Sequence, residues 1–109
     1  MAVNRAFRAL ADPTRRRLLR LLRERPRTSG ELADAFQSSW PTISRHLAVL
    51  HAAGLIVRER KGQFIEYDVN TTVLQEVVEV LLDSVPARSS RWRSKIVRSL
   101  PSPSRSPHR

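Results

Sequence analysis

Hydrophobic positions recur at helical spacing at the start of the chain. Val3, Phe7 and Leu10 follow one another at steps of four and three residues, which predicts a short first helix. Asp12-Pro13 is typical of an N-cap and a first helical position, so a second helix is expected to begin there and to end before Pro26. Its leucines are expected to face inward and its arginines largely outward: Leu18, Leu19, Leu21 and Leu22, and Arg15, Arg16, Arg20 and Arg23.

Capping residues predict two more helices with a short polar turn between them. Thr28 and Glu31 have the spacing of a capping box, in which each side chain accepts from the other residue's backbone N–H. Ser39 is placed to cap the following helix, and Gly54 to end it. The apolar positions of this pair are Leu32, Ala33 and Phe36 on the first helix and Ile43, Leu47 and Leu50 on the second.

The hydrophobic period then changes from helical spacing to alternation, which is the pattern of strands. Residues 55–61 and 64–69 flank a Gly62-Gln63 turn and predict a two-stranded hairpin. A last helix is predicted from Asn70 onward. The chain is therefore expected to be mainly α with a small β-hairpin, an α+β fold in the order ααααββα.

The capped helix pair is the strongest candidate for a functional site. A turn this short forces the helices to cross steeply and leaves the first turn of the second helix in solvent. Short polar side chains with one arginine suit base edges in the major groove and flanking phosphates, whereas a helix pair that packs for structure alone is the competing interpretation. The predicted DNA-binding residues of this element are Gln37, Ser38, Ser39, Trp40, Thr42, Ser44, Arg45 and His46.

The hairpin offers a second contact with nucleic acid. Arg58, Arg60 and Lys61 crowd the approach to its turn and form a cationic tip. Such a tip can reach an adjacent minor groove or the backbone, although charged hairpin tips are commonly just solvated.

The last predicted helix is apolar around much of its circumference, more than one small core can cover. We therefore expect two copies of the chain to share these residues with the first helix as a homodimer. The predicted dimer interface consists of Val3, Phe7, Leu10, Val73, Leu74, Val77, Val78 and Leu81.

Charge separates the chain into two parts. The net charge is +10, but residues 84–109 hold seven basic residues and no acid, which leaves only +3 for residues 1–83. We predict a DNA-binding and dimerisation domain over 1–83 and a basic Ser/Pro/Arg-rich tail over 84–109, partly helical or disordered. Trp92, Ile96, Val97 and Leu100 have the spacing of a basic amphipathic helix, which would lie on a membrane, on DNA or against a protein partner.

Composition excludes several classes of function. The 109 residues include no cysteine, so disulfides, thiolate metal sites and cysteine nucleophiles are excluded. No apolar run approaches the roughly 20 residues that span a bilayer, and residues 1–5 lack the apolar core of a signal peptide. A cytoplasmic protein is expected. No catalytic set or glycine-rich phosphate loop is present, so the chain is not expected to be an enzyme.

Four segments, in this order and spacing, resemble the ArsR-type bacterial repressors. They are residues 9–16 (ALADPTRR), 31–33 (ELA), 41–47 (PTISRHL) and 50–56 (LHAAGLI), and with their surroundings the resemblance covers about residues 3–83. It implies a winged helix-turn-helix, a dimer built from the first and last helices, and a pseudo-palindromic DNA operator. It places Ser39, Trp40, Thr42, Ser44, Arg45 and His46 on the recognition helix and Arg58, Arg60 and Lys61 on the wing.

Two departures from the family pattern affect what the resemblance implies. Trp40 stands where a small or polar residue is usual, and its indole is expected either to contact a thymine methyl or sugar or to pack on the domain. The family's Cys pair before the recognition helix is absent, and the last helix has Glu76, Glu79 and Asp83 but no histidine. No metal or cofactor is therefore expected, as in the autorepressor branch of the family.

The leading hypothesis is a dimeric repressor that binds double-stranded DNA without sensing a metal. The alternative is a winged-helix module that binds a protein or a membrane through the last helix and the basic tail.

Overall fold

The computed structural model describes residues 2–86, 94–95 and 98–99, and within them it contains five helices and three strands. The elements in chain order are α1 (Ala2–Leu10), α2 (Pro13–Glu24), β1 (Arg27–Thr28), α3 (Ser29–Asp34), α4 (Trp40–Ala52), β2 (Ile56–Lys61), β3 (Phe64–Val69) and α5 (Thr71–Leu82). The predicted amphipathic helix around Trp92, Ile96, Val97 and Leu100 lies outside the described residues.

Local capping signals set the helix boundaries, as the sequence predicts. Asp12 accepts a hydrogen bond from the Arg15 backbone N–H at 3.0 Å and caps α2. Thr28 caps α3 and Ser39 caps α4. Gly54 follows α4 with a φ of 79°, a conformation that glycine adopts without the steric cost of a Cβ.

The unit that ends at Asn70 has a core drawn from helices and from the start of the hairpin. Its largest fully buried side chains are Leu18 and Leu22 of α2, Leu32 of α3, Ile43, Leu47 and Leu50 of α4, Leu55 just before β2, and Ile56 at the start of β2. Burial of such side chains favours folding by about 1.5–3 kcal/mol each. This core fixes α4 by its apolar stripe and leaves the opposite side of the helix exposed.

The sheet contains one strand that the sequence analysis did not predict. The predicted hairpin of β2 and β3 is present, and β1 pairs antiparallel with β3 through Arg27 with Tyr67 and Thr28 with Glu66. The strand order is β1-β3-β2. A strand of two residues is too short to show alternation, so only its pairing with β3 defines it.

A second compact unit begins at Thr71 and contains α5. Val77 and Leu82 are buried, whereas Val80 and Leu81 are 40% and 55% exposed. The predicted boundary between residues 83 and 84 stays a prediction. Among the described residues, no helix has the length and apolar character needed to cross a membrane.

Candidate nucleic-acid interface

Helices α3 and α4 form the helix-turn-helix that the sequence predicts. A capping box with two reciprocal hydrogen bonds caps the N-terminus of α3. Glu31 N–H donates to Thr28 Oγ1 at 3.2 Å, and Thr28 N–H donates to Glu31 Oε1 at 2.8 Å. The Thr28 hydrogen bond lowers the pKa of the Glu31 carboxyl below its ordinary value, and the nearby Arg25 charge adds to this effect. Residues 35–39 then turn the chain into α4. The turn is longer than predicted, because α3 ends at Asp34 and the buried Phe36 lies in the turn rather than on the helix.

The first turn of α4 is polar and exposed. The Ser39 hydroxyl accepts from Thr42 N–H at 3.4 Å and shares a 2.9 Å hydrogen bond with the Thr42 hydroxyl. Trp40, the first residue of the helix, is 47% exposed, so its indole is not wholly packed on the domain. Four further residues of this element that are predicted to contact DNA are also exposed: Gln37, Ser38, Ser44 and Arg45.

Arg45 and His46 are neighbours on α4 in very different surroundings. Arg45 is exposed, and no acidic group in the described part of the chain lies within ion-pairing distance of it. Only 19% of the His46 side chain is exposed. Its Nδ1 lies 3.3 Å from Arg15 Nη1 and 3.9 Å from Asp12 Oδ2, both at the start of α2.

The hairpin of β2 and β3, the wing, carries its three predicted cations on two faces. Opposed residues of an antiparallel pair share a face, and Arg58 and Arg60 oppose Tyr67 and Ile65, while Lys61 opposes Phe64. The two arginines therefore lie on the same face of the hairpin as the buried Tyr67, and Lys61 lies on the other face.

Lys61 differs from the two arginines in its partners. Its Nζ is 3.8 Å from Glu59 and 3.9 Å from Glu66. Within the described residues, Arg58 and Arg60 are exposed and no ion pair is found for either. The wing thus carries two cations without an acidic partner among the described residues, and a third, Lys61, that lies near two glutamates.

The residues predicted for the dimer interface differ in exposure. Val3, Phe7 and Leu10 of α1 are half-buried, as are Val73, Leu74 and Val78 of α5. Leu81 is largely exposed and Val77 is buried.

Arg15 is the residue at this site that sequence reasoning missed. It was expected to point largely outward, but its side chain turns toward the end of α1, where Nε donates to Ala9 O at 2.6 Å and Nη2 to Arg8 O at 3.3 Å. The last carbonyls of a helix lack partners within the helix and attract cations. The sequence signal that could have predicted this contact is an arginine a few residues after the end of a predicted helix.

Comparisons with known proteins identify the kind of protein that has this arrangement. A family profile described as "Bacterial regulatory protein, arsR family" matches residues 12–57. The transcriptional repressor SdpR of Bacillus subtilis is 46% identical over 83 residues, which is 76% of this chain and 92% of that protein.

Solved structures extend the similarity to the fold. The crystal structure of the ArsR family transcriptional regulator RHA00566 superposes with a TM-score of 0.72 at 29% identity, covering 85% of this chain and 98% of the other. A homodimeric winged helix-turn-helix DNA-binding domain from Mycobacterium bovis, solved by NMR, gives a TM-score of 0.65 at 27% identity, covering 76% and 78%.

Proposed function

Because this chain belongs to the ArsR family of bacterial regulatory proteins, we propose that it is a dimeric repressor that reads a pseudo-palindromic operator. The family and the similar proteins are transcriptional regulators with a winged helix-turn-helix, so the chain is a DNA-binding regulator and not an enzyme. The observation that carries the proposal is the exposed polar start of α4, beside which Arg45 has no acidic partner among the described residues.

Helix α4 lies in the major groove in this proposal. Arg45 hydrogen-bonds a base edge, and guanine is the base whose O6 and N7 fit an arginine. The Ser39 hydroxyl at the start of α4 faces a phosphate. The helix start contributes through its dipole rather than through a row of free donors, because Pro41 has no N–H and the Thr42 and Ile43 N–H groups already donate to Ser39. Trp40 contacts a thymine methyl group or a sugar, which is consistent with the exposure of its indole. Gln37, Ser38, Thr42, Ser44 and His46 complete the contact surface of the helix.

The wing supplies the flanking contact in this proposal. Arg58 and Arg60 neutralise phosphates or enter the adjacent minor groove, where electrostatic attraction supplies affinity with little dependence on sequence. Lys61 contributes less, since Glu59 and Glu66 already accompany its charge.

Two copies of the chain form the binding unit. The homodimer from Mycobacterium bovis supports this assembly, and the exposed Leu81 on α5 is an apolar residue that association would cover. The proposed interface combines α1 and α5 through Val3, Phe7, Leu10, Val73, Leu74, Val78 and Leu81. Val77, also predicted for this interface, is already buried within one copy of the chain and would support the surface from beneath. A two-fold dimer presents two copies of α4, which accounts for a pseudo-palindromic operator.

The repressor acts without a metal switch in this proposal. The support is the donor set: the sequence has no cysteine, and the described residues include no cluster of three histidine, aspartate or glutamate side chains placed to bind an ion.

Selection of binding sites from random duplex DNA tests the proposal. We expect two inverted half-sites whose centres lie about 10–10.5 base pairs apart, or a multiple of that spacing. The selected duplex should bind equally well with added zinc and with a chelator. Enrichment of single half-sites would contradict the dimer, no enrichment would contradict sequence-specific binding, and release by zinc would contradict metal independence.

A further inference from the structure

Arg15 joins three helices through one guanidinium group. Nε and Nη2 donate to Ala9 O and Arg8 O at the end of α1, while Nη1 lies 3.3 Å from Nδ1 of His46 on α4. Its own backbone N–H donates to Asp12, the N-cap of α2. The Ala9 and Arg8 carbonyl oxygens orient the guanidinium plane. In this orientation the remaining nitrogen, Nη1, lies next to Nδ1 of His46.

This contact determines where the proton of His46 resides. A guanidinium group only donates hydrogen bonds, so Nδ1 must accept and the neutral ring carries its proton on Nε2. The competing arrangement, Nδ1–H donating to Asp12, has a heavy-atom distance of 3.9 Å, which is too long for a hydrogen bond. The backbone N–H of Arg15 already occupies this same Asp12 oxygen at 3.0 Å.

We propose that Arg15 is a positioning residue for DNA binding, which holds His46 as an Nε2–H donor on the DNA-binding helix. This inference rests on the proposed function, because it assigns the donor to contact with DNA. His46 is one position beyond Arg45 in α4, and an N–H donor there matches a phosphate oxygen or a purine N7. Arg15 itself lies partly buried between the helices, and it acts through the histidine rather than by touching DNA.

The chain offers a matched control for Arg15. The adjacent Arg16 donates from Nη1 to Leu10 O at 2.8 Å, so it also binds a carbonyl at the end of α1. In the described structure it makes no hydrogen bond to His46. Arg15→Met and Arg16→Met therefore remove the same charge and the same kind of carbonyl contact, and only the first releases the histidine.

The first test reads the proton directly and needs no DNA. Nitrogen NMR of the full chain with labelled histidine should show His46 with an unprotonated Nδ1 and a protonated Nε2 in the wild type and in Arg16→Met. Arg15→Met should give a mixture of the two neutral tautomers. A wild-type ring protonated on Nδ1, or a tautomer unchanged by Arg15→Met, would overturn the inference.

The second test measures affinity for the duplex obtained by selection. Arg15→Met should weaken binding about twofold or more beyond Arg16→Met, because the apparent affinity falls by the fraction of rings that keep the proton on Nε2 in the bound orientation. His46→Gln retains an N–H donor at the ε position that does not depend on Arg15. In the His46→Gln background, Arg15→Met should therefore lower the affinity no more than Arg16→Met does. Equal losses for both arginine variants in the wild-type background would overturn the inference. A wild type that binds all duplexes equally would instead overturn the proposed function, whatever the NMR result.

Discussion

The two surfaces proposed to contact DNA differ in how far their side chains are fixed before binding. On α4, the Ser39 and Thr42 hydroxyls bond to each other and His46 lies against Arg15, so several groups already have one geometry. On the wing, Arg58 and Arg60 are exposed and lack ion-pair partners among the described residues. A preset surface suits discrimination between bases, whereas free cations suit phosphates of any sequence.

The fixed geometry of the α4 surface, which includes Ser39, Thr42 and His46, depends on the packing of α4 against the core. A substitution in that core should therefore disrupt it. Leu47 is 1% exposed, so Leu47→Ala should lower the free energy of unfolding by about 2–5 kcal/mol. Val57 on the wing is 40% exposed, and Val57→Ala should change this free energy by less than about 1 kcal/mol. Urea denaturation of both variants measures the difference, and equal losses would show that the wing is packed as firmly as the helix.

A smaller effect concerns α3, the helix that precedes the α4 surface. The pKa of Glu31 is lowered in the folded chain below its ordinary value of 4.5, chiefly by the Thr28 N–H. A lowered pKa means that the charged form stabilises the fold above about pH 4.5, and that this contribution is lost as the pH falls through the folded-state pKa.

Replacing the titrating group tests this contribution. Glu31→Gln keeps an acceptor for Thr28 but does not titrate, so its free energy of unfolding should fall less steeply below pH 4.5 than that of the wild type. Asp34→Asn, on the same helix, is the control for removing one negative charge. Identical pH profiles for Glu31→Gln and the wild type would contradict the stabilising role of the Glu31 charge.

The elements that the sequence predicted correctly depend on local signals. The capping box, the Ser39 cap and the Gly54 stop each involve residues a few positions apart, and the structure confirms each of them. The alternating pattern and the Gly62-Gln63 turn likewise predicted the hairpin, because turn and strand preferences are local.

What the sequence did not predict depends on pairing between distant segments. Strand β1 exists only through β3, about 40 positions later. The surroundings of His46 come from Arg15, 31 positions earlier. The periodicity of α4 alone placed this histidine on the polar face and could not show that the start of α2 lies against it. The DNA contacts themselves stay predictions.

The most direct test of the central claim compares one arginine from each surface on selected and shuffled duplexes at two salt concentrations. We expect Arg45→Ala to reduce the ratio of the two affinities about five- to 150-fold, which corresponds to about 1–3 kcal/mol. Arg60→Ala should weaken binding to both duplexes equally and lower the salt dependence of the affinity by about one phosphate contact. Lys61→Ala should have a smaller effect, because Glu59 and Glu66 already lie near the Lys61 charge. Equal weakening of both duplexes by Arg45→Ala, or loss of discrimination in Arg60→Ala, would contradict this division of roles.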